Sequence, residues 1–313
     1  VAVLLLLEPE WLARTEDDRL DRLVTASACC GAITLFWLGA LNETICPSWA
    51  AVEKQYFVQL SAGEELSVEA LAASLAQEAK GYSHILVADS PRGLSLLPRL
   101  AALLDRPMLS GVQEIVRPDT FVLPILSGHL SSTVQVAAMP ICLAVQPYAF
   151  APAPRLPSAA GTLIPFVLPA WPQAARLLQR LPLANSDRPD LACAKRVVAG
   201  GGGLLKEGSF ALIEQLAERL GAAVGASRAA VDGGLVPSTL QIGQTGQVIA
   251  PDLYIGIGIS GSIAHLAGIK QAKTIVAINC DPLAPLMQIA DWSLQGDLYE
   301  IIPEWLVLAP ERG

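Results

Sequence analysis

Histidine is scarce in this chain: 3 positions in 313 residues, His84, His129 and His265. The 6 cysteines are scattered apart from Cys29-Cys30, and no C-x-x-C or other metal-ligand spacing occurs. These absences exclude a zinc site of ordinary design. At this length the cysteines read as reduced thiols in a cytosol rather than as a disulfide framework. Charged residues make up only 16%, with a formal net charge of -8 and no basic cluster, which excludes nucleic acid as a partner. Uninterrupted apolar runs of spanning length are missing too. Leu23 to Asn42 is broken by Gly31 and Gly39, and Leu156 to Ala175 contains Pro157, Pro165, Pro169 and Pro172. Val1 to Leu7 lacks a basic segment and is too short for a secretion signal. The expectation is a soluble, cytoplasmic protein without direct membrane insertion. No hydrolytic constellation is visible either: neither His84, which opens a predicted strand, nor His129, in a Ser-Gly-His turn, has a nucleophile in a known arrangement. The acidic pairs Asp17-Asp18 and Glu64-Glu65 read as solvated faces.

What the chain has in abundance is hydrophobic side chains, 52% of residues. That suits buried parallel strands and a large partner interface. Val1 to Leu7 reads as a first strand buried on both faces, and Asp17 to Cys30 as a helix. Further strands are predicted at Ile33–Leu38, Tyr56–Leu60, His84–Ala88, Val112–Val116, Phe121–Leu126, Val134–Ala138 and Ile141–Val145. Ser67 is placed to cap a helix running to Ala79, and Leu94 to Leu104 forms another. The alternation argues for a three-layer, Rossmann-like domain with a parallel sheet. A proline- and alanine-rich stretch from Phe150 and a turn-rich stretch from Leu181 follow, which puts the domain boundary near Leu191.

The second domain, 192–313, opens on Arg196-Val197-Val198-Ala199 and four glycines, Gly200 to Gly203. Ser209 is placed to cap a helix to Leu220, and Ala222 to Ala226 is a short strand. Val248 to Ala250 adds a minor strand, and Asp291 to Asp297 is the last strand and its loop. The central segment runs from Ala250 to Asp281. An apolar strand enters Gly256-x-Gly258-x-x-Gly261, a helix starts near Ser262, and a second β-branched strand ends at Asn279. Such a turn suits a pyrophosphate, because glycines admit close approach and a helix start offers unpaired N–H groups. Alone it is equally a bland strand-end turn, or a nicotinamide fingerprint with Asp281 as the ribose acid. The pattern suits a flavodoxin-like or Rossmann-like wind with its strand-end loops on one crevice.

The strand-end segments together resemble the α subunit of electron transfer flavoproteins. The matching motifs are Gly225-Ala226-Ser227-Arg228-Ala229-Ala230-Val231-Asp232, Gln241-Ile242-Gly243-Gln244-Thr245-Gly246, Gly258-Ile259-Ser260-Gly261-Ser262-Ile263-x-His265-Leu266-Ala267-Gly268 and Ile278-Asn279-x-Asp281-Pro282-x-Ala284-Pro285. The resemblance covers Lys195 to Glu304 and is fainter in the first domain. It implies FAD as the cofactor, held by the second domain. It places Arg228 beside the isoalloxazine near N5, as a buried guanidinium that stabilises an anionic flavin. It gives hydroxyl contacts to Ser227 and Thr245 and backbone and amide contacts to Gly243 and Gln244, and it counts Gly202 and Ile242 among the cofactor-binding residues. The run Ser260, Gly261, Ser262, Ile263, Ala264 and His265 takes the pyrophosphate and ribityl side, with His265 reaching the pyrimidine edge. Asn279, Asp297 and Leu298 hold the adenosine end. It implies an electron carrier rather than a substrate-converting enzyme, since the chemistry belongs to the cofactor. The implied partners are an electron transfer flavoprotein β subunit carrying AMP or a second FAD, a flavin-dependent dehydrogenase as donor, and a quinone reductase as acceptor. Two positions depart from the family: Gly202 stands where a basic residue is usual, and Ala264 where glutamine is usual. Two alternatives stay open at this point, an NAD(P)-binding Rossmann-type oxidoreductase and a flavin-free assembly subunit that kept the fold.

Overall fold

The computed structural model describes residues 2–13, 17–39, 47–58, 67–126, 128, 130–156, 163–167 and 188–308. His129 and the Glu64-Glu65 pair lie outside the described residues. The chain divides into two compact units, Val1–Leu181 and Pro182–Gly313. Leu191 packs in the core of the second unit, against Val197 and Ile249.

The first unit contains β1 (Ala2–Leu7), α1 (Arg19–Ala28), β2 (Ala32–Trp37), β3 (Val52–Val58), α2 (Val68–Glu78), β4 (His84–Ala88), α3 (Pro91–Leu104), β5 (Met108–Val112), β6 (Glu114–Arg117), β7 (Thr120–Ile125), β8 (Leu130–Gln135), β9 (Ile141–Val145) and β10 (Leu163–Phe166). Seven of these strands form a sheet ordered β10-β3-β2-β1-β4-β9-β5, parallel at every pairing. The leucine run of β1 explains its central place. Successive strand side chains point to opposite faces, so Val3, Leu5 and Leu7 pack towards α1 residues Leu20, Leu23 and Val24. Leu4 and Leu6 pack on the other side with Leu71 and Leu75 of α2 and Leu96, Leu97 and Leu100 of α3. Burying such a leucine contributes about 1.5–3 kcal/mol. This is the three-layer architecture that the alternation predicts. Ser67 caps α2, its Oγ accepting from Ala70 N at 3.1 Å, as expected.

The structure differs from the expectation in several places. The strands β6, β7 and β8 form a separate antiparallel sheet, whose Ile115 and Phe121 pack into the α1-side core together with Val136, the residue after β8. Their connections are too short for the crossover a parallel pairing needs. The proline-rich stretch supplies an edge strand, β10, and Pro165 is tolerated there because an edge strand need not donate on both sides. Asp17 is buried rather than solvated and makes a bidentate ion pair with Arg19, whose guanidinium lies 4.0 Å over the Trp11 ring. Val248 to Ala250 forms no strand. Ile249 N instead donates to the Gly268 carbonyl at 2.8 Å, and Pro251 follows.

The second unit contains β11 (Arg196–Gly200), α4 (Ala211–Leu220), β12 (Ala223–Ala226), α5 (Arg228–Asp232), β13 (Leu253–Ile257), α6 (Ile263–Ala267), β14 (Thr274–Asn279), α7 (Pro285–Ile289), β15 (Trp292–Gln295) and α8 (Leu298–Leu308). The cap position before α4 is Phe210 rather than Ser209, although Ser209 Oγ accepts from Ala211 N at 3.3 Å. The sheet order is β12-β11-β13-β14-β15, all parallel. Counted along the unit, that is the flavodoxin-like sequence 2-1-3-4-5. Core clusters lie on both faces, one with α4 and α8 and the other with Tyr254, Ile275 and Leu286. Among the described residues no helix is long and apolar enough to cross a membrane.

Candidate functional site

In an open parallel sheet the ligand crevice lies at the strand C-termini, where the winding direction reverses. In the second unit that point lies between β11 and β13. The glycine loop after β11 and the glycine turn after β13 face each other there. Gly201 N donates to the Ile257 carbonyl at 2.9 Å and Gly203 N to the Gly258 carbonyl at 3.0 Å. A Cβ on Gly201 would collide with the Gly258 carbonyl, and Gly258 itself has φ +61°. These glycines therefore exist to let two loops touch. Gly202 is different: a Cβ there would stand 3.4 Å from Ala229 Cβ, an ordinary contact.

The remaining predicted segments join the same edge through backbone bonds. Ser227 N donates to the Gly200 carbonyl at 2.9 Å, and Ile242 N to the Ala226 carbonyl at 2.9 Å. Gln244 N donates to the Ala264 carbonyl at 2.8 Å, which fixes the Gln241–Gly246 turn against α6. Leu286 N donates to the Ser260 carbonyl at 3.1 Å. Asn279 Nδ2 donates to the Ile259 carbonyl at 3.0 Å while its Oδ1 accepts from Asp281 N at 3.1 Å, so its amide links the turns after β13 and β14. Leu298 is buried beneath the turn, with a Cβ on Gly258 only 3.0 Å from its Cδ2. Asp297 Oδ1 accepts from Tyr299 N at 2.9 Å, at the start of α8. The sequence-predicted residues thus share one strand-end edge.

Their side chains fall into two groups. Gln244, Thr245, Ser260, Ser262, Ile263 and Ala264 are exposed; Thr245 Oγ1 accepts from Gln241 Nε2 at 2.9 Å, and Ser262 caps α6 through its Oγ at 3.4 Å from His265 N. Arg228 is also exposed within this chain, its side chain 71% accessible and paired with Asp232 Oδ2 at 3.2 Å. Within this chain alone the guanidinium is therefore not buried. At the first position of α5 it projects outward, because the opposite face, with Ala230, packs into the core.

Ser227 and His265 are buried. The Ser227 Oγ has no hydrogen-bond partner. The His265 Nε2 lies 2.8 Å from the hydroxyl of Tyr254, a fully buried residue of β13. Its Nδ1 makes no hydrogen bond of ordinary geometry, although the Ile242 carbonyl stands close enough to oppose in part the effect of burial. Burial pushes the imidazole down to about 4, so it is neutral at physiological pH. Tyr254 and Leu286 are the neighbours that sequence reading did not single out. Gly256 is the clue to both, since a Cβ there would stand 2.5 Å from Leu286 Cδ2 and 3.0 Å from Tyr254 Cε1. Gly256 sits inside β13, not in the turn, so it cannot serve as the first glycine of a phosphate-binding fingerprint.

The first unit has a corresponding reversal between β1 and β4, and there the side chains satisfy one another. Ser90 Oγ donates to Glu8 Oε1 and, as the cap of α3, accepts from Gly93 N at 3.0 Å. Arg92 binds the Leu38 carbonyl and Glu10 Oε1, the latter at 2.8 Å. Asp89 is hydrogen bonded to Gln146. His84 is held between Ser83 Oγ at 2.9 Å and the Pro118 carbonyl at 2.6 Å, a structural role. Among the described residues no group of His, Cys, Asp and Glu could hold a metal ion.

Fold and site together define an open α/β protein with a ligand crevice at the switch point of its C-terminal unit. The electron transfer flavoprotein domain matches residues 24–170, and the electron transfer flavoprotein FAD-binding domain matches residues 190–270. The electron transfer flavoprotein subunit alpha of Pseudomonas aeruginosa is 42% identical over 91% of this chain and 93% of its own length. That of Paracoccus denitrificans is 40% identical over 92% and 93%. The mitochondrial subunit alpha of Arabidopsis thaliana is 44% identical over 74% of this chain and 66% of its own. This chain belongs to the electron transfer flavoprotein α-subunit family, and its C-terminal unit carries that family's FAD-binding domain. The residues present fit such a cofactor: two buried polar atoms, Ser227 Oγ and His265 Nδ1, lie without a hydrogen bond at the strand-end edge. A buried polar group left unpaired costs about 1–3 kcal/mol, and a bound polar ligand offsets that cost.

Proposed function

We propose that this chain is the FAD-holding subunit of a heterodimeric carrier that takes electrons from a flavin-dependent dehydrogenase and passes them to a quinone reductase. The observation that carries the reading is the contrast at the second switch point: a closely packed glycine frame beside buried, unpartnered Ser227 Oγ and His265 Nδ1. Bound FAD supplies the one- and two-electron chemistry; the protein binds, orients and polarises. In this reading Ser227, Thr245 and His265 contact the flavin end, and Arg228 brings a permanent positive charge to it. Gly202, Ile242, Gly243, Gln244 and the run Ser260 to Ala264 hold the ribityl and pyrophosphate portions, while Asn279, Asp297 and Leu298 take the adenosine end. Because Arg228 is exposed within this chain, the β subunit is what excludes water from it. That subunit, carrying AMP or a second FAD, completes the assembly, and the cytoplasm is its compartment.

The test is the visible absorption spectrum of the chain co-expressed with a β subunit. A flavin spectrum with about one FAD on this chain is expected on this reading. A heterodimer without flavin absorption overturns it, and a well-behaved, flavin-loaded monomer overturns the need for the partner.

A further inference from the structure

Tyr254 is a polar residue in an apolar place. It sits mid-strand in β13, fully buried among Val197, Ile242, Ile259 and Ile275. A tyrosine hydroxyl in such surroundings needs a partner, and the one the structure gives it is His265 Nε2 at 2.8 Å. Space for this pair is kept by Gly256, since a Cβ there would stand 3.0 Å from Tyr254 Cε1 and 3.4 Å from Oη. A smaller apolar side chain would fill the core without that constraint, so packing alone does not explain the phenol.

We infer that Tyr254 is a positioning residue: its hydroxyl donates to His265 Nε2 and thereby fixes the imidazole proton on Nδ1. The argument is one of donor and acceptor supply. A neutral imidazole has one N–H and one bare nitrogen. The Tyr254 proton has no other acceptor described, and burial raises the phenol above its ordinary range, so it stays a donor. Once Nε2 accepts, Nδ1 must carry the hydrogen. The nearby Ile242 carbonyl, which can only accept, favours the same tautomer. The chain therefore holds a fixed Nδ1–H donor, rather than a lone pair, buried beside the Ile242 carbonyl. Resting on the reading that His265 meets the flavin, this selects a hydrogen-bond acceptor, a carbonyl or ring-nitrogen edge, as the group it recognises. Tyr254 touches no ligand itself and acts through His265.

The experiment uses the FAD-loaded heterodimer with this chain labelled at its histidines in 15N, the His265 signals being assigned by their loss in His265→Gln. Nδ1 should appear protonated and Nε2 unprotonated. In Tyr254→Phe the fixed tautomer should give way to a mixture, and FAD should dissociate about fivefold more readily, the scale of one neutral hydrogen bond. Adding Tyr254→Phe to His265→Gln should weaken FAD no further, because the two act as one unit. A wild-type His265 protonated on Nε2 overturns the inference while leaving the flavin reading intact. So does a Tyr254→Phe effect that adds in full to that of His265→Gln, which marks a packing role. If Tyr254→Phe does not fold, the wild-type tautomer alone decides. A heterodimer without FAD overturns the functional reading and this inference with it.

Discussion

The two units are built on the same plan and use it in opposite ways. Each is a parallel sheet with core on both faces and a winding reversal at its strand ends. In the first unit the reversal is occupied by the protein itself, through Glu8, Asp89, Ser90 and Arg92. In the second, glycines bring two loops together and leave Ser227 Oγ and His265 Nδ1 buried without hydrogen bonds. A doubly wound sheet provides a crevice wherever the winding reverses, but only the side chains at its mouth decide whether the crevice serves stability or a ligand.

Four tests challenge this comparison, the largest effect first. Gly201→Ala should destabilise the second unit by about 3 kcal/mol, since its Cβ meets the Gly258 carbonyl and backbone must move. Gly202→Lys, one residue on, brings its Cβ only into ordinary contact with Ala229 and Leu205 and should change stability by less than about 0.5 kcal/mol. Urea unfolding of both variants checks the pair; equal losses would show that the loops are not in register as described.

The second concerns pH, where the units should diverge. His265 is 4% exposed and falls from 6.5 to about 4 on folding, so its contribution is full above pH 6.5 and is lost as pH drops towards 4. By linkage this is on the order of 3 kcal/mol. Burial raises Glu8 above 4.5, so its contribution is present below that value and is lost as pH rises through the folded one. Acidification from pH 7 should therefore weaken the second unit through His265 and relieve the first through Glu8. Unit-resolved hydrogen exchange should show a flattened acid response in the second unit of His265→Gln and in the first unit of Glu8→Gln. An unchanged slope in either variant removes that residue from the account.

The third uses one residue type on both sides of the comparison. Ser90→Ala deletes a partnered hydroxyl and a helix cap, and should cost the first unit about 1–2 kcal/mol. Ser227→Ala deletes an unpartnered buried hydroxyl, so the FAD-free second unit should be unchanged or gain up to about 1 kcal/mol, while FAD binding weakens. Melting with and without FAD separates the two signs; a loss of stability in FAD-free Ser227→Ala would show that its Oγ has a partner.

The smallest expected effect is at Arg228. Its pairing with Asp232 is exposed, so Arg228→Ala should leave the stability of the chain within about 0.5 kcal/mol. In the FAD-loaded heterodimer the first reduction potential should fall by about 60 mV, the scale of one hydrogen bond to a charged group. Gly202→Lys, which restores a cation in the glycine loop, should raise it. A potential unchanged within about 20 mV in Arg228→Ala would place the guanidinium away from the flavin.

What the sequence determined by itself is what depends on short-range order. The unbroken leucines of β1 predict a strand buried on both faces, and both faces are core. Ser67 and Ser262 mark helix starts, and the spacing of Gly200–Gly203, Ser227-Arg228, Gly243–Gly246, Ser260–His265 and Asn279 marks the edge where those segments meet. Caps, periods and turns are written over a few neighbouring residues, so they are legible in one dimension. What tertiary structure decided is every pairing between distant residues. Ser90 reaches Glu8 across 82 positions, and the Tyr254–His265 bond joins a strand to a helix. Burial, too, was decided there: Pro165 found an edge, the neighbours Asp17 and Arg19 were carried into the interior together, and Arg228 turned outward. Whether a buried polar atom has a partner depends on what the fold brings within about 3 Å of it. That distance is a property of the packed chain and not of the spacing along it, and it separates a filled crevice from one that fits a cofactor.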